Sequence, residues 1–481
     1  MTYQLRPHQE IAISKIRDSF RRGHRTPLLQ APTGFGKTLI AVDIIKSALV
    51  KGKRVIFIVD RIQLIDQTSE AMDFHGIPHG VVQGDHWRVN NEPLQIASLQ
   101  TFMKRRNKPD ADLIIVDEAH GLYKSFVKFM TETWNNLPYI GLSATPFTRG
   151  LGKIYDDLIV VETTGSLIEK GYLSDFEAYG APIDLKGVRT TAGDFNGADL
   201  EKKVNKKKLI GDVVSTWLRL GGNRQTVCFA VSVAHSEAIV DEFIANGVSA
   251  AHIDAYTNPE KREQILNAHA DGDIKILSNV GITTKGWDSP ETTCLIYARP
   301  TKSLMLHIQI LGRVLRKSSC GTPALILDHG NNISRLGFPT DPLPEYLCNG
   351  DVENKAQKER EKKEKDEPLP TACESCHHIS VHFICPKCGH KPAKMPNVET
   401  VDVKLAKLKK VPPAEKERWL GELLGYCRKK GMNDGWAAHT FKKKFGHFPA
   451  KKSGIPAVTP SPEVLGYIKH LNIKWARANQ K

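Results

Sequence analysis

The run Ala31-Pro32-Thr33-Gly34-Phe35-Gly36-Lys37-Thr38 has the residue types and spacing of a phosphate-binding loop. It follows the apolar stretch Pro27-Leu28-Leu29 and leads into the helical pattern Leu39–Ile45. In that context the loop N–H groups and the helix N-terminus cradle anionic oxygens. Lys37 is placed to reach the β- and γ-phosphates of a nucleoside triphosphate, and the Thr38 hydroxyl to ligate Mg²⁺. Such a loop needs a carboxylate for the metal and a base for the attacking water. Asp117-Glu118-Ala119-His120 supplies both at the end of the apolar run Leu113–Val116, Asp117 for Mg²⁺ and Glu118 for the water. Ser143-Ala144-Thr145-Pro146 follows another apolar run, and its hydroxyls are expected to bond His120 and link the phosphate site to a moving surface. Further on, Gln309-Ile310-Leu311-Gly312-Arg313-Val314-Leu315-Arg316 reads as helix, with Arg313 and Arg316 three apart on one face. Arginines from a second domain stabilise transition-state charge at a γ-phosphate. Taken singly, each segment also reads as an ordinary turn, strand end or surface helix.

These residues need a scaffold, and the chain supplies two successive α/β patterns. Val55–Val59, Gln95–Ser98, Leu113–Val116 and Tyr139–Leu142 read as buried parallel strands. After a polar connection at 190–208, Thr226–Ala230, Lys275–Ser278, Cys294–Tyr297 and Ala324–Leu327 repeat the pattern. The intervening helices are expected at Ala234–Asn246, Pro259–Ala270 and Leu304–Arg316. Each half implies one open sheet with helices on both faces.

The 481 residues carry 68 basic and 53 acidic side chains, a net charge of +15 that favours a polyanionic partner. Residues 401–481 hold 18 of the basic and 6 of the acidic residues, so 12 of the 15 net charges lie there. Neither a signal-peptide h-region nor an apolar run of bilayer length is present, so a cytoplasmic protein with no membrane partner is expected. Four of nine cysteines form the array Cys373-x-x-Cys376 and Cys385-x-x-Cys388. Two such turns eight residues apart suit a closed tetrahedral Zn²⁺ site of structural type. Two disulfides and an iron–sulfur cluster are the alternatives, and His377, His378, His382 and His390 are alternative ligands. The charge run within Asp351–Glu367 reads as solvated helix or linker. In the C-terminal region Trp419, Tyr426, Trp436, Phe441, Phe445 and Phe448 alternate with Arg428-Lys429-Lys430 and Lys442-Lys443-Lys444. Most of these aromatics are expected to form a small helical core, with the lysine clusters left to meet nucleic acid.

In order and content, residues 1 to about 345 resemble the superfamily-two helicase and translocase core. Leu5-Arg6-Pro7-His8-Gln9 is similar to the family's adenine-recognition segment, which implies that Arg6 and Gln9 meet the base. Thr33, Gly34, Gly36, Lys37 and Thr38 match its nucleotide loop, and Asp117–His120 spells its DEAH box. Val59–Leu64 and Ser98–Thr101 resemble its strand-contacting segments, and Ser143–Thr145 its coupling motif. Ser278–Asp288 resembles the segment that touches both nucleic acid and nucleotide, which would place Gly286 and Asp288 near the latter. Gln309, Gly312, Arg313 and Arg316 match the arginine-finger motif, with Gln309 where DEAD-box RNA helicases usually carry His. The departure points towards DNA-acting relatives. Gly171-Tyr172-Leu173, Asp194-Phe195, Arg299-Pro300-Thr301 and the cysteine-rich tail resemble the bacterial and phage RadD-like helicases more narrowly.

The resemblance implies two tandem RecA-like, doubly wound parallel-sheet lobes at 1–165 and 166–345. A charged linker at 346–370, a zinc ribbon at 371–395 and a basic, mainly helical region at 396–481 would follow. It implies an ATP- and Mg²⁺-dependent motor on single-stranded or branched DNA in replication, repair or recombination, with single-strand-binding or repair proteins as partners. A duplex translocase for branch migration, an RNA helicase and a non-catalytic module with a decayed ATP site are the competing readings. Intact Lys37, Thr38, Asp117, Glu118, Arg313 and Arg316 argue against the last.

Overall fold

The computed structural model describes residues 4–349 apart from 61–62, 84–85, 122, 181–182, 184, 192, 283–286 and 288. It also describes 371–372, 379–380, 406–407, and 412–471 apart from 446, 450–453, 462 and 469–470. Two compact units are present, 1–349 with 405–410, and 350–404 with 411–481.

The first unit holds two parallel sheets. In the first lobe the strands are β1 (Pro27–Gln30), β2 (Val55–Val59), β3 (Gly80–Val82), β4 (Leu94–Ser98), β5 (Leu113–Asp117), β6 (Tyr139–Ser143) and β7 (Asp157–Val160), in spatial order β3-β4-β2-β5-β6-β1-β7. Side chains of successive strand residues point to opposite faces, and the packing shows it. Val55, Phe57 and Val59 enter one core, and Ile56 and Ile58 the other. Both faces are therefore covered, which is why these strands read as unbroken apolar runs rather than alternating ones.

The second lobe follows the same logic. Its strands are β8 (Phe176–Gly180), the short hairpin β9 (Thr190–Thr191) and β10 (Asp194–Phe195), β11 (Thr226–Phe229), β12 (Ala250–Ile253), β13 (Ile276–Asn279), β14 (Cys294–Tyr297) and β15 (Ala324–Asp328). The sheet order is β12-β13-β11-β14-β15-β8, all parallel. Cys294 and Ile296 face one core while Leu295 and Tyr297 face the other. In the segment expected to be a ribbon, β16 (Thr371–Ala372) pairs antiparallel with β17 (Ile379–Ser380). Residues Ala406–Lys407, β18, add an antiparallel edge to β8. A stretch read from sequence as part of the C-terminal region thus completes the second sheet.

Helices at Val233–Ala245, Pro259–Ala270 and Leu304–Leu311 match the expected positions, each started by a side-chain cap from Ser232, Asn258 or Ser303. The last one corrects the reading from sequence, which ran it to Arg316. After Gly312 the backbone bonds shorten, Arg313 N–H donating to Ile310 and Val314 N–H to Leu311. Val314 and Leu315 then turn into the core. Arg313 and Arg316 consequently share no helical face.

In the second unit, the helices Pro413–Lys430 and Asp434–Phe445 pack Trp419, Leu423, Cys427 and Phe441 against Val464 and Ile468. Tyr426, Trp436 and Phe445 lie at the margin of that core. The aromatics serve packing here, as expected. Lys444 lies 4.6 Å from the Trp419 ring centroid, and Lys442 lies 4.4 Å from that of Phe448.

Candidate active site at the lobe seam

Parallel strands place all their C-terminal ends on one edge of a sheet, which is where open α/β folds bind ligands. The loop 31–36 leaves β1 at that edge. Gly34 and Gly36 have φ of +84° and +89°, a region a side chain rarely enters. A Cβ on Gly36 would stand 2.2 Å from Gln9 Nε2, and one on Gly34 2.6 Å from Leu173 Cδ2. Both glycines are required by their backbone, and a side chain at either would also have to displace the end of Gln9 or Leu173. The fully buried Gln9 amide donates to the Phe35 carbonyl at 3.0 Å and accepts from Arg6 N–H at 2.9 Å. Gln9 supports the loop from behind in this structure. His8 Nε2 reaches the same Phe35 carbonyl at 3.3 Å, and the Arg6 guanidinium lies 5.0 Å from the Tyr172 ring centroid. Thr38 is exposed in the first turn of the helix Lys37–Val50.

Asp117 and Glu118 lie at the end of β5 with Lys37 opposite, its Nζ 4.0 Å from Glu118 Oε1. Asp117 Oδ1 is buried with no hydrogen-bond partner among the described residues. Burial, then the adjacent Glu118 charge, push the Asp117 carboxyl up to about 6, with Lys37 opposing. Glu118 itself has φ +49°, the left-handed region, which costs a non-glycine residue of order 1 kcal/mol. The strain turns its carboxylate between Lys37 and His120.

From Glu118 a polar path runs across the lobes. His120 Nδ1 sits 3.2 Å from Glu118 Oε2 and 3.1 Å from Ser143 Oγ. The Ser143 hydroxyl accepts the Thr145 N–H at 3.1 Å, and Thr145 Oγ1 accepts from Gln309 Nε2 of the second lobe at 3.2 Å. The Gly312 backbone also meets the Thr33 side chain, since a Cβ on Gly312 would lie 2.6 Å from Thr33 Oγ1. Arg313 donates to the Trp287 carbonyl, and Arg316 is half-buried.

Sequence reasoning named Lys37, Asp117, Glu118, His120, Ser143, Thr145 and Gln309, and the structure brings these together. Ser98, read as a strand-contacting residue, is fully buried and caps the helix Leu99–Lys104 through the Thr101 N–H. Gly286 and Asp288 lie outside the described residues, as do Cys373, Cys376, Cys385 and Cys388. Among the described residues no three His, Cys, Asp or Glu side chains form a metal-binding group, and no helix is long and apolar enough to cross a membrane. Sequence reasoning quoted Phe35, His8, Tyr172 and Leu173 only within motifs and gave none of them a role in supporting the loop. The last two stand more than 130 positions from the loop they support, so only tertiary structure brings them there.

Two parallel-sheet lobes with a phosphate loop, paired carboxylates and a polar path across their seam define a tandem-lobe ATPase. Residues 2–148 match the family described as type III restriction enzyme, res subunit, and residues 206–318 the helicase conserved C-terminal domain. A 51.5 kDa protein of a Lactococcus phage is 32% identical over 316 residues, 65% of this chain and 67% of the phage protein. The protein of Saccharomyces cerevisiae named as the ATP-dependent helicase IRC3 is 29% identical over 73% of this chain and 54% of its own length. The chain thus spans about half of that yeast relative. In fold it is similar to the ATP-dependent type ISP restriction-modification enzyme LlaBIII bound to DNA, with TM-score 0.50 and 18% identity over 67% of this chain and 27% of that one. The chain belongs to the superfamily-two helicases and is a nucleic-acid-dependent ATPase of the helicase class.

Proposed function

We propose that this protein is an ATP-dependent DNA helicase or translocase that turns lobe closure into movement along DNA. The observation that carries the reading is the polar path from Lys37 and Glu118 through His120, Ser143 and Thr145 to Gln309. A change at the γ-phosphate position is felt by Glu118 and Lys37, and Gln309 is the second lobe's end of the same path. Closure driven by ATP and reopening after hydrolysis then shift the lobes against a bound strand. Lys37 binds the β- and γ-phosphates, Glu118 orients and deprotonates water, and Arg313 and Arg316 meet developing negative charge. Thr33, Gly34 and Gly36 shape the loop, and Arg6 and Gln9, with Gly286 and Asp288, border the nucleotide. Thr38 and Asp117 would hold Mg²⁺, and the buried, unpartnered Asp117 oxygen suits a cation. The ion supplies charge neutralisation on the phosphates.

DNA as the polymer is supported by the net charge of +15, by Gln309 in place of His, and by the DNA-bound state of the LlaBIII structure. The RadD-like assignment and a place in DNA repair belong to the same proposal. So do Zn²⁺ on Cys373, Cys376, Cys385 and Cys388, nucleic-acid contact by residues 396–481, and the domain boundaries at 165, 345, 370 and 395. ATP turnover measured with single-stranded, duplex, forked and branched DNA and with RNA tests the reading. Stimulation by DNA above RNA is expected, and turnover indifferent to every polynucleotide refutes it. Triplex displacement without strand displacement would select the pure translocase instead.

A further inference from the structure

Trp87 is the most exposed tryptophan among the described residues, with 79% of its surface open. Single exposed apolar side chains are common and need no function. The support around this one is what sets it apart. The Arg88 guanidinium lies 4.4 Å from the ring centroid. It is held there by a two-pronged pair to Asp73 at 2.6 and 2.8 Å and by its contact with His79 Nε2 at 2.7 Å. Arg88 N–H donates to His86 Nδ1, and the His86 ring stacks on Trp87 at 5.8 Å and 23°. His86 Nε2 in turn lies 3.3 Å from Asp66. Two charged partners on the helix Gln63–Phe74 thus fix the residues on either side of an indole that keeps 79% of its surface exposed. Even with Arg88 and His86 against it, the ring stays largely open to solvent.

Its position is equally specific. His86 N–H donates to Gln83 just past the end of β3, and Val81 N–H to Arg88. Trp87 therefore stands at the C-terminal end of β3, the outermost strand of the first sheet. The ends of β2 and β4 lie between it and the nucleotide loop. Five strand spacings separate β3 from β1, roughly 24 Å at about 4.8 Å each. That places it on the same edge as the ATP site but well outside it.

We infer that Trp87 is a stacking platform for an unpaired base of the strand bound along the first lobe. The inference rests on the DNA-motor reading and names a contact within it. A large rigid ring held in place loses little freedom when a base stacks on it. Arg88 is already neutralised by Asp73, so the contact is apolar and aromatic rather than a phosphate clamp, and it accepts any base.

The test uses the full chain and a labelled oligothymidylate. Trp87→Ala and Trp87→Leu should weaken binding about tenfold, within the range that loss of one stacked base produces. Trp87→Phe should retain most of the affinity. The slope of log affinity against log salt should not change, because no phosphate contact is removed. Oligonucleotide should quench tryptophan emission in the wild type and quench it less in Trp87→Phe. Matching thermal midpoints show that each variant is folded. If the wild type binds no oligonucleotide, the motor reading falls and this contact with it. If the wild type binds and Trp87→Ala binds equally, or the loss appears as a changed salt slope, the stacking platform alone is overturned.

Discussion

Gly312→Ala isolates how closely the two lobes must meet. The backbone at Gly312 has φ −62° and ψ −15°, ordinary right-handed geometry that alanine adopts freely. Conformation therefore does not demand glycine here; the neighbour does. An added methyl would lie 2.6 Å from Thr33 Oγ1 and 2.7 Å from Thr33 Cβ, an overlap of about 0.8 Å against the 3.4 Å where ordinary contact begins. Thr33 belongs to the phosphate loop, so relief comes from parting the seam or displacing the loop. Overpacking of this kind costs typically 1–3 kcal/mol, and a misplacement of about 1 Å at a reacting centre costs about 10²-fold in rate. Gly312→Ala should therefore lose about 10²-fold in DNA-stimulated ATP turnover. The thermal midpoint should hold to within a few degrees, because each lobe keeps its own core. Thr33→Gly in the same chain removes both clashing atoms and should recover part of the loss, giving a coupling term well above additivity. Steady-state turnover and a double-mutant cycle read this directly. Wild-type turnover in Gly312→Ala would refute the close seam, and an equal loss in the double variant would move the defect elsewhere.

Lys37→Ala should abolish ATP hydrolysis and leave DNA binding largely intact, as judged by anisotropy beside a phosphate-release assay. Glu118→Gln keeps the shape and the strained backbone but removes the base, so turnover should fall 10²–10⁴-fold while ATP still binds; fluorescent-nucleotide titration separates the two. Asp117 is held up to about 6, above its usual 3.8. The folded protein therefore gains from its protonated form, and that gain is lost as pH rises from about 4 through 6. In EDTA, Asp117→Asn should raise the thermal midpoint at pH 7.5 and the advantage should shrink towards pH 4; an unchanged or lowered midpoint at pH 7.5 counts against a costly buried charge. Elemental analysis should find zinc with about four cysteine sulfurs per ion, from the closed-site ligand count, and iron or no metal would reject that assignment.

What the letters disclosed and what they hid divide along physical lines. Strands such as Val55–Val59 and Cys294–Tyr297 were legible because burial on both faces forces continuous apolar runs. The phosphate loop and Asp117–Glu118 were legible because their chemistry permits few substitutes. The end of the helix at Leu311 was not, since Val314 and Leu315 continue a helical pattern while serving a turn into the core. Gln9 was read by family likeness as a base reader; its bond to the Phe35 carbonyl depends on a loop more than twenty positions away. The edge strand at Ala406–Lys407 was invisible, because two residues carry no periodicity. Contacts made between distant segments leave no local signature.

The same loop that carries Thr145 has a second attachment. Gly150 and Gly152 N–H groups both donate to the Cys348 carbonyl, at 2.8 and 3.1 Å, and Leu347 packs on the core beside Leu151 and Tyr155. Residues 347–349 thus return from the second lobe and hold the first, a few positions beyond the residue that Gln309 grips. Two ties on one loop make its movement costly unless both yield together. A shift at Glu118 that travels through His120 and Ser143 therefore meets a loop with two anchors, Gln309 within the second lobe and Cys348 beyond its sheet. Cooperative, two-position behaviour follows more naturally from that arrangement than graded hinging does.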